Sequence, residues 1–338
     1  MPARFRKSVS LGGGVKLNLN KKSLSVSAGP RGARYTVSST GRRTTSVGVP
    51  GTGLSYRTSA GPRRRGTPHS PSGTGHRLPG PAVVKPGLFA PTGRKKLYRG
   101  FTLAQAHGPT EVWTALFDDA AEHPRQAIAA HTLRGVLAAT VAPDWALNCL
   151  SAVYRTPGAP DADPEVGPYA TALSVTATVA GLHLSLPVGR LLVGLLVSML
   201  HEDRGEVSEA QWATQSLPDC AVARLAQADL ALRHGNREVA VAQTDGVTNT
   251  DDVTAMTLAV RAGALRALGQ DGAAVLASRE ALRFPSRSVV ARHRARFESG
   301  SAEATLGHTA KARTQFEKIL AEDSTYPGIH DALARLNT

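Results

Sequence analysis

Acidic residues are missing from the first 110 residues of the chain, which carry 20 lysine and arginine residues and no aspartate or glutamate. The full chain of 338 residues has 40 basic and 26 acidic residues. All of the excess positive charge therefore lies in the N-terminal third, and the remainder is weakly acidic. This asymmetry indicates a basic module that meets an anionic partner, followed by a domain of ordinary composition.

Cysteine is scarce, because Cys149 and Cys220 are the only two in the chain. Both lie in apolar, helix-like surroundings, and their spacing does not form a C-x-x-C pair. The sequence therefore gives neither a disulfide framework nor a cysteine-based metal site. We expect a protein of a reducing compartment, and hence a cytoplasmic one.

Long hydrophobic runs are also missing. The most apolar run, LLVGLLVSML at 191–200, is too short to span a bilayer, and we interpret it as a buried core helix. The N-terminus has no apolar segment of the kind found in secretory signals. A membrane surface is not favoured as a partner, because the sequence shows no basic amphipathic helix.

Catalytic and cofactor-binding patterns are absent. GVPGTG at 48–53 is not followed by the lysine and hydroxyl residue of a phosphate-binding loop. His201 and Glu202 are adjacent, but no second histidine completes a zinc-binding H-E-x-x-H. No combination of serine, histidine and aspartate is indicated by spacing. We expect neither an enzyme, nor a metal site, nor a bound cofactor.

What is present at the N-terminus is a pattern of period-two alternation. VKLNLN, LSVSA and ARYTVS alternate apolar and polar residues, and GGG, GPRG and PGTG separate them as turns. The pattern predicts a small antiparallel sheet of five or six strands over residues 1–59, with one apolar face and one polar, basic face.

The same segment resembles a known family. FRKS at 5–8, LNLNKKSLSVSAGPRGA at 17–33 and VGVPGTGLSYR at 47–57 are similar, in order, to the bacterial domain of unknown function 4236. The resemblance implies a short β-rich domain joined to variable C-terminal partners. It implies no activity and no ligand.

The basic face is the candidate polyanion-binding site. Cations combined with neutral hydrogen-bond donors suit phosphate groups, and the scarcity of aromatic residues argues against base stacking. The candidates are Arg4, Arg6, Lys16, Lys21, Lys22, Arg31, Arg34, Arg42 and Arg43. Two alternatives stay open: a solvated surface that prevents edge-to-edge pairing of the sheet, and a contact with acidic protein, including the C-terminal half of this chain.

Two further regions follow along the chain. Residues 60–100 are rich in proline, glycine and arginine, and this composition predicts a linker without a core of its own. Residues 101–187 are rich in alanine, with apolar residues at helical spacing, and we predict an α-helical region that includes diverged helical pairs.

A repeat is visible in residues 188–338. Four glycines are each followed five residues later by alanine. A small residue precedes each glycine by seven positions. Each alanine is followed four residues later by threonine, serine or phenylalanine. The glycine–alanine pairs are Gly205 and Ala210, Gly235 and Ala240, Gly269 and Ala274, and Gly307 and Ala312. Each unit predicts a helix, a tight turn at glycine, and a second helix.

These units resemble the tetratricopeptide repeat. LGHTAKARTQFEKILAEDSTYP at 306–327 and LGQDGAAVLASREALRFPSR at 268–287 are similar to its turn and second helix, and DALARL at 331–336 is similar to its capping helix. The resemblance implies stacked helix pairs with a groove that binds protein. Arg233 and Arg266, just before two of the turns, are candidates for holding a carboxylate there. The alternative is that both are exposed residues that only keep the surface soluble.

The predicted fold class is therefore α+β with several domains: a small β domain, a proline-rich linker and a helical repeat domain. The function that fits best is a non-enzymatic adaptor, in which the β domain binds an anionic partner and the repeats bind protein. The alternative is a sequence-independent nucleic-acid-binding protein whose repeats mediate self-association.

Overall fold

The computed structural model describes the backbone of six N-terminal strands and then residues 83–107 and 111–336. Side chains are described for residues 83–104 and 113–336. The strands are β1 (Arg6–Ser10), β2 (Lys16–Asn20), β3 (Ser23–Ala28), β4 (Ala33–Ser38), β5 (Arg43–Gly48), β6 (Ser55–Ala60), β7 (Ser174–Val179) and β8 (Leu182–Pro187).

Fourteen helices occur in the described residues. They are α1 (Thr92–His107), α2 (Glu111–Ala121), α3 (Ala127–Ala138), α4 (Pro143–Arg155), α5 (Gly167–Ala172), α6 (Arg190–Asp203), α7 (Val207–Gln215), α8 (Ala221–Arg233), α9 (Arg237–Gln243), α10 (Asp252–Ala267), α11 (Asp271–Ala281), α12 (Val289–Thr305), α13 (Thr309–Glu322) and α14 (Ile329–Arg335).

The strands β1 to β6 pair antiparallel in chain order, each with the next. In the sequence, polar and apolar residues alternate within each strand, a pattern that favours strands. The prediction of a small β domain with a basic face stays a prediction, because the side chains of these strands and the residues between them lie outside the described part of the chain.

The chain divides into two compact units, which are Met1–Ala177 with Ser185–Leu200, and Thr178–Leu184 with His201–Thr338. In the first unit, α1 packs on α2, α2 on α3, and α3 on α4. Aromatic side chains fill its core. The ring centroids of Trp113 and Phe117 lie 5.6 Å apart, and those of Phe101 and Tyr169 lie 5.0 Å apart.

The predicted linker is too long at its C-terminal end. The helix α1 begins at Thr92, although residues 60–100 were assigned to the linker. The physical reason is that Leu97 and Phe101, four residues apart, are 0% and 2% exposed and hold this helix in the core of the first unit. Residues 61–82 of the predicted linker lie outside the described residues.

A β-hairpin interrupts the region predicted to be entirely helical. Strands β7 and β8 alternate buried apolar and exposed polar residues, and only Ala180 and Gly181 connect them. Both have positive φ, at 50° and 85°, as a type I′ turn requires. The sequences SVTATV and LHLSLP carry a clear period of two, which the alanine-rich surroundings obscured.

The apolar run at 191–200 forms most of α6, and its interpretation as a buried helix is confirmed. Leu192, Val193 and Val197 are 0% exposed, and Leu196 is 1% exposed. Within the described residues, none of the helices is both long enough and apolar enough to cross a bilayer.

The helical repeat is confirmed in the second unit. Helices α8 and α9, α10 and α11, and α12 and α13 form successive packed pairs, and α14 packs on α13. The four repeat glycines each end a helix with left-handed φ between 73° and 81°. Because glycine adopts this conformation without strain, each turn can be tight.

The small residues of the repeat lie where the paired helices approach. All four alanines that follow the glycines are 0% exposed. A Cβ atom added at Gly300 would lie 2.6 Å from Cε1 of Phe316 on the second helix of the pair, so only glycine leaves room for this ring. From the sequence, the small residue before each glycine and the alanine after it were expected to allow close approach of the paired helices, and Gly300 and Phe316 occupy the positions seven before Gly307 and four after Ala312.

We expect Gly300→Ala to destabilise the repeat unit by ~1–3 kcal/mol, because the new methyl group overlaps the Phe316 ring. The measurement is urea denaturation of the full chain. Gly272→Ala is the control, since a Cβ there meets no atom within 4 Å, and it should be neutral or stabilise by up to about 1 kcal/mol. If Gly300→Ala and the unmodified chain have the same free energy of unfolding, α12 and α13 can move apart without loss of stability.

Candidate functional site

The turns between paired helices share one hydrogen-bonding pattern. In each, the backbone N–H after the glycine donates to a carbonyl five residues earlier, at 2.8–2.9 Å. In the first and last turns, the two residues joined by this backbone bond are a histidine and a glutamate. The histidine comes first in the first turn, and the glutamate comes first in the last turn. His201 Nδ1 lies 2.6 Å from Glu206 Oε2, and His308 Nδ1 lies 2.6 Å from Glu303 Oε2.

The first helices of successive pairs form a continuous row. Helix α10 packs on both α8 and α12, whereas the second helices α9 and α11 pack on first helices. Within the second unit, no comparable packing joins α9 to α11 or α11 to α13. The first helices of neighbouring pairs therefore form one continuous surface along the stack. We call this surface the first-helix face.

A buried carboxylate joins two arginines in the row of first helices. Glu298 on α12 has a side chain only 5% exposed, and it accepts hydrogen bonds from Arg266 Nε on α10 at 2.9 Å and from Arg294 Nε at 3.0 Å. Gly263 faces this carboxylate, because a Cβ there would lie 3.0 Å from Glu298 Oε1. The arrangement fixes the planes of two half-exposed guanidinium groups.

Arg233 belongs to a second network. It contacts Glu202 at the end of α6, and its Nε donates to Asp229 Oδ2 at 3.0 Å. Burial lowers the pKa of Arg233, but the Asp229 and Glu202 carboxylates more than offset this and hold the pKa above its ordinary value. His234 Nε2 also lies 3.0 Å from Glu202 Oε1. The two predicted groove arginines are therefore present on first helices, each bound to internal carboxylates.

A third cluster lies at the base of the last pair. Glu322 on α13 accepts from Arg296 at 2.7 Å and Arg292 at 3.1 Å, and it lies 3.3 Å from His293 Nε2. The hydrogen bond from Arg296 is the main reason that the pKa of Glu322 lies below its usual range. Three cationic or neutral donors on one carboxylate tie α12 to α13.

Two polar cavities of about 310 and 300 Å³ adjoin the exposed Arg224–Asp219 ion pair. Threonine and glutamine side chains line much of them, and neither contains a nucleophile paired with a base.

Cys149, in the first unit, is buried, and burial raises the pKa of its thiol. Across the described residues, no three His, Cys, Asp or Glu side chains are grouped to hold a metal ion.

The predicted polyanion-binding residues are not tested by the described structure. Arg4, Lys21, Lys22, Arg31 and Arg42 lie outside the described residues. Arg6, Lys16, Arg34 and Arg43 lie in strands whose side chains are also outside them. In the backbone register, position 16 is paired with position 27, and position 34 with position 46. The polyanion site stays a prediction.

Sequence reasoning missed Glu298 and Arg294, which complete the first-helix network. A signal was available, because partners on neighbouring first helices are separated by about one repeat length. Arg233 and Glu202 are 31 residues apart, and Arg266 and Glu298 are 32 apart. A search for opposite charges at this spacing would have found both pairs.

We expect Glu298→Gln to destabilise the chain by ~2–3 kcal/mol, because both arginines lose a buried charged acceptor. The control is Glu280→Gln, which affects an exposed pair with Arg283 at 3.3 Å and should change stability by less than about 0.5 kcal/mol. Urea denaturation of both variants gives the comparison. If the two substitutions cost the same, Glu298 does not organise the network.

Comparison with known proteins supports the resemblance of the N-terminal segment. The family model described as protein of unknown function (DUF4236) matches residues 3–57. This match confirms the resemblance drawn from FRKS, the alternating strands and VGVPGTGLSYR. In the search of curated proteins, no match was found.

Two solved structures resemble the chain. The crystal structure of the APC/C hetero-tetramer Cut9–Hcn1 gives a TM-score of 0.43 at 14% identity, covering 72% of this chain and 42% of that chain. A tetratricopeptide repeat protein from Parabacteroides merdae ATCC 43184 gives a TM-score of 0.38 at 12% identity, covering 73% of this chain and 84% of that chain. The chain thus spans less than half the length of the first. The repeat architecture is established by the turns and helix contacts described above.

Proposed function

We propose that the chain is a non-enzymatic adaptor whose helical repeats bind an extended, acidic segment of a partner protein on the first-helix face. One observation carries the proposal. Glu298 engages the Nε atoms of Arg266 and Arg294, while their Nη atoms donate to no acceptor within the described part of the chain. Two guanidinium groups with fixed planes and free outer edges suit a peptide carboxylate.

Concave helical-repeat surfaces suit extended ligands, because each helix pair adds one more strip of the same surface. Arg233 extends the basic character of the first-helix face toward the first pair, and its side chain is 48% exposed. Its position beside Glu202 and Asp229 makes it a weaker candidate than Arg294, since a ligand carboxylate would compete with two internal ones.

A scaffold rather than an enzyme is supported by the way charges are used in the second unit. Three of its buried or half-buried carboxylates, Glu298, Glu303 and Glu202, have cationic or histidine partners. Pairing of this kind fixes structure, and it does not favour a role for these three groups in proton transfer.

For the N-terminal segment, we propose the role of an anchor on an anionic partner. Support comes from its composition, with 20 basic and no acidic residues before Glu111. The rival hypothesis assigns direct, sequence-independent nucleic-acid binding to this segment and self-association to the repeats. Charge reversal of the basic N-terminal residues should abolish nucleic-acid binding if the rival hypothesis is right. Under the adaptor hypothesis, it should alter only the binding of protein partners.

The groove proposal is tested with a fluorescein-labelled peptide pool that carries two adjacent glutamates between random positions, and with a matched pool carrying glutamines. We expect Arg294→Gln to weaken binding of the glutamate pool by ~10-fold or more, because a charged hydrogen-bonded contact is lost. Arg266→Lys should also weaken it, since lysine keeps the charge without the planar fork.

Arg283→Gln is the control for this experiment, because Arg283 is 64% exposed outside the first-helix row. Thermal denaturation of each variant separates loss of binding from loss of folding. Equal binding of the two pools, or equal effects of Arg283 and Arg294 substitutions, would exclude an acidic ligand at this site.

The rival is tested by titrating the full chain with duplex DNA over a salt series. If the basic segment binds nucleic acid, about five phosphate contacts should give a log–log slope of about −4.5. The quadruple substitution Arg4→Glu, Arg6→Glu, Lys16→Glu and Arg34→Glu should then abolish binding. No binding at low salt would remove nucleic acid from consideration and leave protein partners.

A further inference from the structure

The most exposed large apolar side chains of the described chain lie together, immediately before α1. Val84 is 85% exposed, Leu88 is 83% exposed and Phe89 is 98% exposed. Every other exposed large apolar side chain in the described residues is 62% exposed or less. Three such residues within six positions form a local feature, in contrast to the scattered apolar residues of an ordinary surface.

Two of these side chains, Leu88 and Phe89, are held on a turn. The backbone N–H of Ala90 donates to the Gly87 carbonyl at 3.0 Å, so Leu88 and Phe89 are the two central residues of a β-turn. Lys95 Nζ donates to the Leu88 carbonyl and ties the turn to α1. The helix is in turn anchored by Leu97, which is 0% exposed. We call residues 84–89 the apolar turn.

The charged residues of the segment that contains the apolar turn and α1 have one sign. Residues 83–107 contain Lys85, Arg94, Lys95, Lys96 and Arg99, and no acidic residue. Arg94 and Lys96 pair with carboxylates of the first unit, at 3.2 and 2.9 Å. Lys85, Lys95 and Arg99 form no ion pair among the described residues. Lys95 and Arg99 are four residues apart on α1, so they share the side of the helix that holds the turn.

We propose that the apolar turn inserts into an anionic lipid surface, with Lys85, Lys95 and Arg99 at the level of the lipid phosphates. Apolar side chains that protrude almost fully into water are stabilised when an apolar phase closes around them, and the acyl boundary of a bilayer provides such a phase. The flanking cations gain from anionic headgroups. A polynucleotide would satisfy these cations but would offer no apolar surface to Val84 and Leu88.

Sequence analysis did not favour a membrane surface, because no basic amphipathic helix was recognised. The apolar element is a turn of six residues, and helical periodicity cannot reveal it. The adjacent cationic positions become recognisable as one group only when Lys95 is seen to hold the Leu88 carbonyl. The proposal is independent of the peptide-binding role of the repeats.

The test is sedimentation of the full chain with phosphatidylcholine vesicles that contain about one third phosphatidylglycerol, compared with pure phosphatidylcholine. We expect binding to the anionic vesicles, and the double substitution Leu88→Ser with Phe89→Ser should reduce it by ~10-fold or more. Leu276→Ser is the matched control, because Leu276 is 62% exposed on α11, and it should leave binding unchanged. Lys95→Gln and Arg99→Gln should each reduce the affinity for anionic vesicles about fivefold, and neither should change the affinity for pure phosphatidylcholine vesicles.

A Phe89→Trp variant provides a second readout. Insertion predicts a blue shift of its emission on vesicle addition and quenching by lipids brominated in the acyl chain. Failure to sediment with anionic vesicles overturns the proposal. So does binding that survives the loss of Leu88 and Phe89, because charge alone would then explain it. Loss of duplex-DNA binding in the double variant, with vesicle binding unchanged, would assign the turn to nucleic acid instead.

Discussion

The second unit depends on one backbone constraint, the left-handed glycine that closes each first helix. With φ between 73° and 81° at all four positions, the chain reverses within a single turn, and the next N–H returns to a carbonyl five residues back. The reversal brings the second helix close against the first, so that only small residues fit between them. The buried alanines five residues after each glycine follow from this geometry. A larger side chain there would push the pair apart and break the contact with the next pair.

Close packing of this kind gives an alanine-rich core. The side chains that fill the remaining space between helices differ from pair to pair. In the last pair, Phe316 packs on Phe297 with ring centroids 5.8 Å apart, and Phe297 packs on Tyr326 at 5.6 Å. The equivalent of Phe316 is Thr244 in the second pair, whose hydroxyl bonds to its own helix at the Ala240 carbonyl. Charged networks between neighbouring first helices supply contacts that larger apolar side chains provide elsewhere. The networks of Arg233 and Arg266 both span about one repeat, because the partners lie on neighbouring first helices.

The repeat could be predicted from the sequence because its signals are local and recur four times. Glycine, the small residue before it and the alanine after it define the turn and both helix faces within about twenty residues. The hairpin of β7 and β8 was missed because it occurs once, within helical surroundings. The start of α1 was missed because prolines and glycines before Thr92 dominated the composition, although Leu97 and Phe101 carried a helical signal. The partners of the groove arginines were missed because they are distant in sequence, even though their spacing of one repeat could have been searched.

The ion pairs on the first-helix face bear directly on how it could bind. An unpaired arginine cluster would be held apart by repulsion, whereas Glu298 lets Arg266 and Arg294 lie side by side at little electrostatic cost. The carboxylate is buried, so it is not displaced by water or by a ligand from the open side. A ligand carboxylate would therefore meet guanidinium groups that are already ordered, and less conformational entropy is lost on binding. Arg233 lacks this arrangement, because its Nε and one of its Nη atoms are engaged by two different internal carboxylates. The same face thus contains one arginine pair ordered by a shared buried carboxylate and one arginine that joins neighbouring first helices.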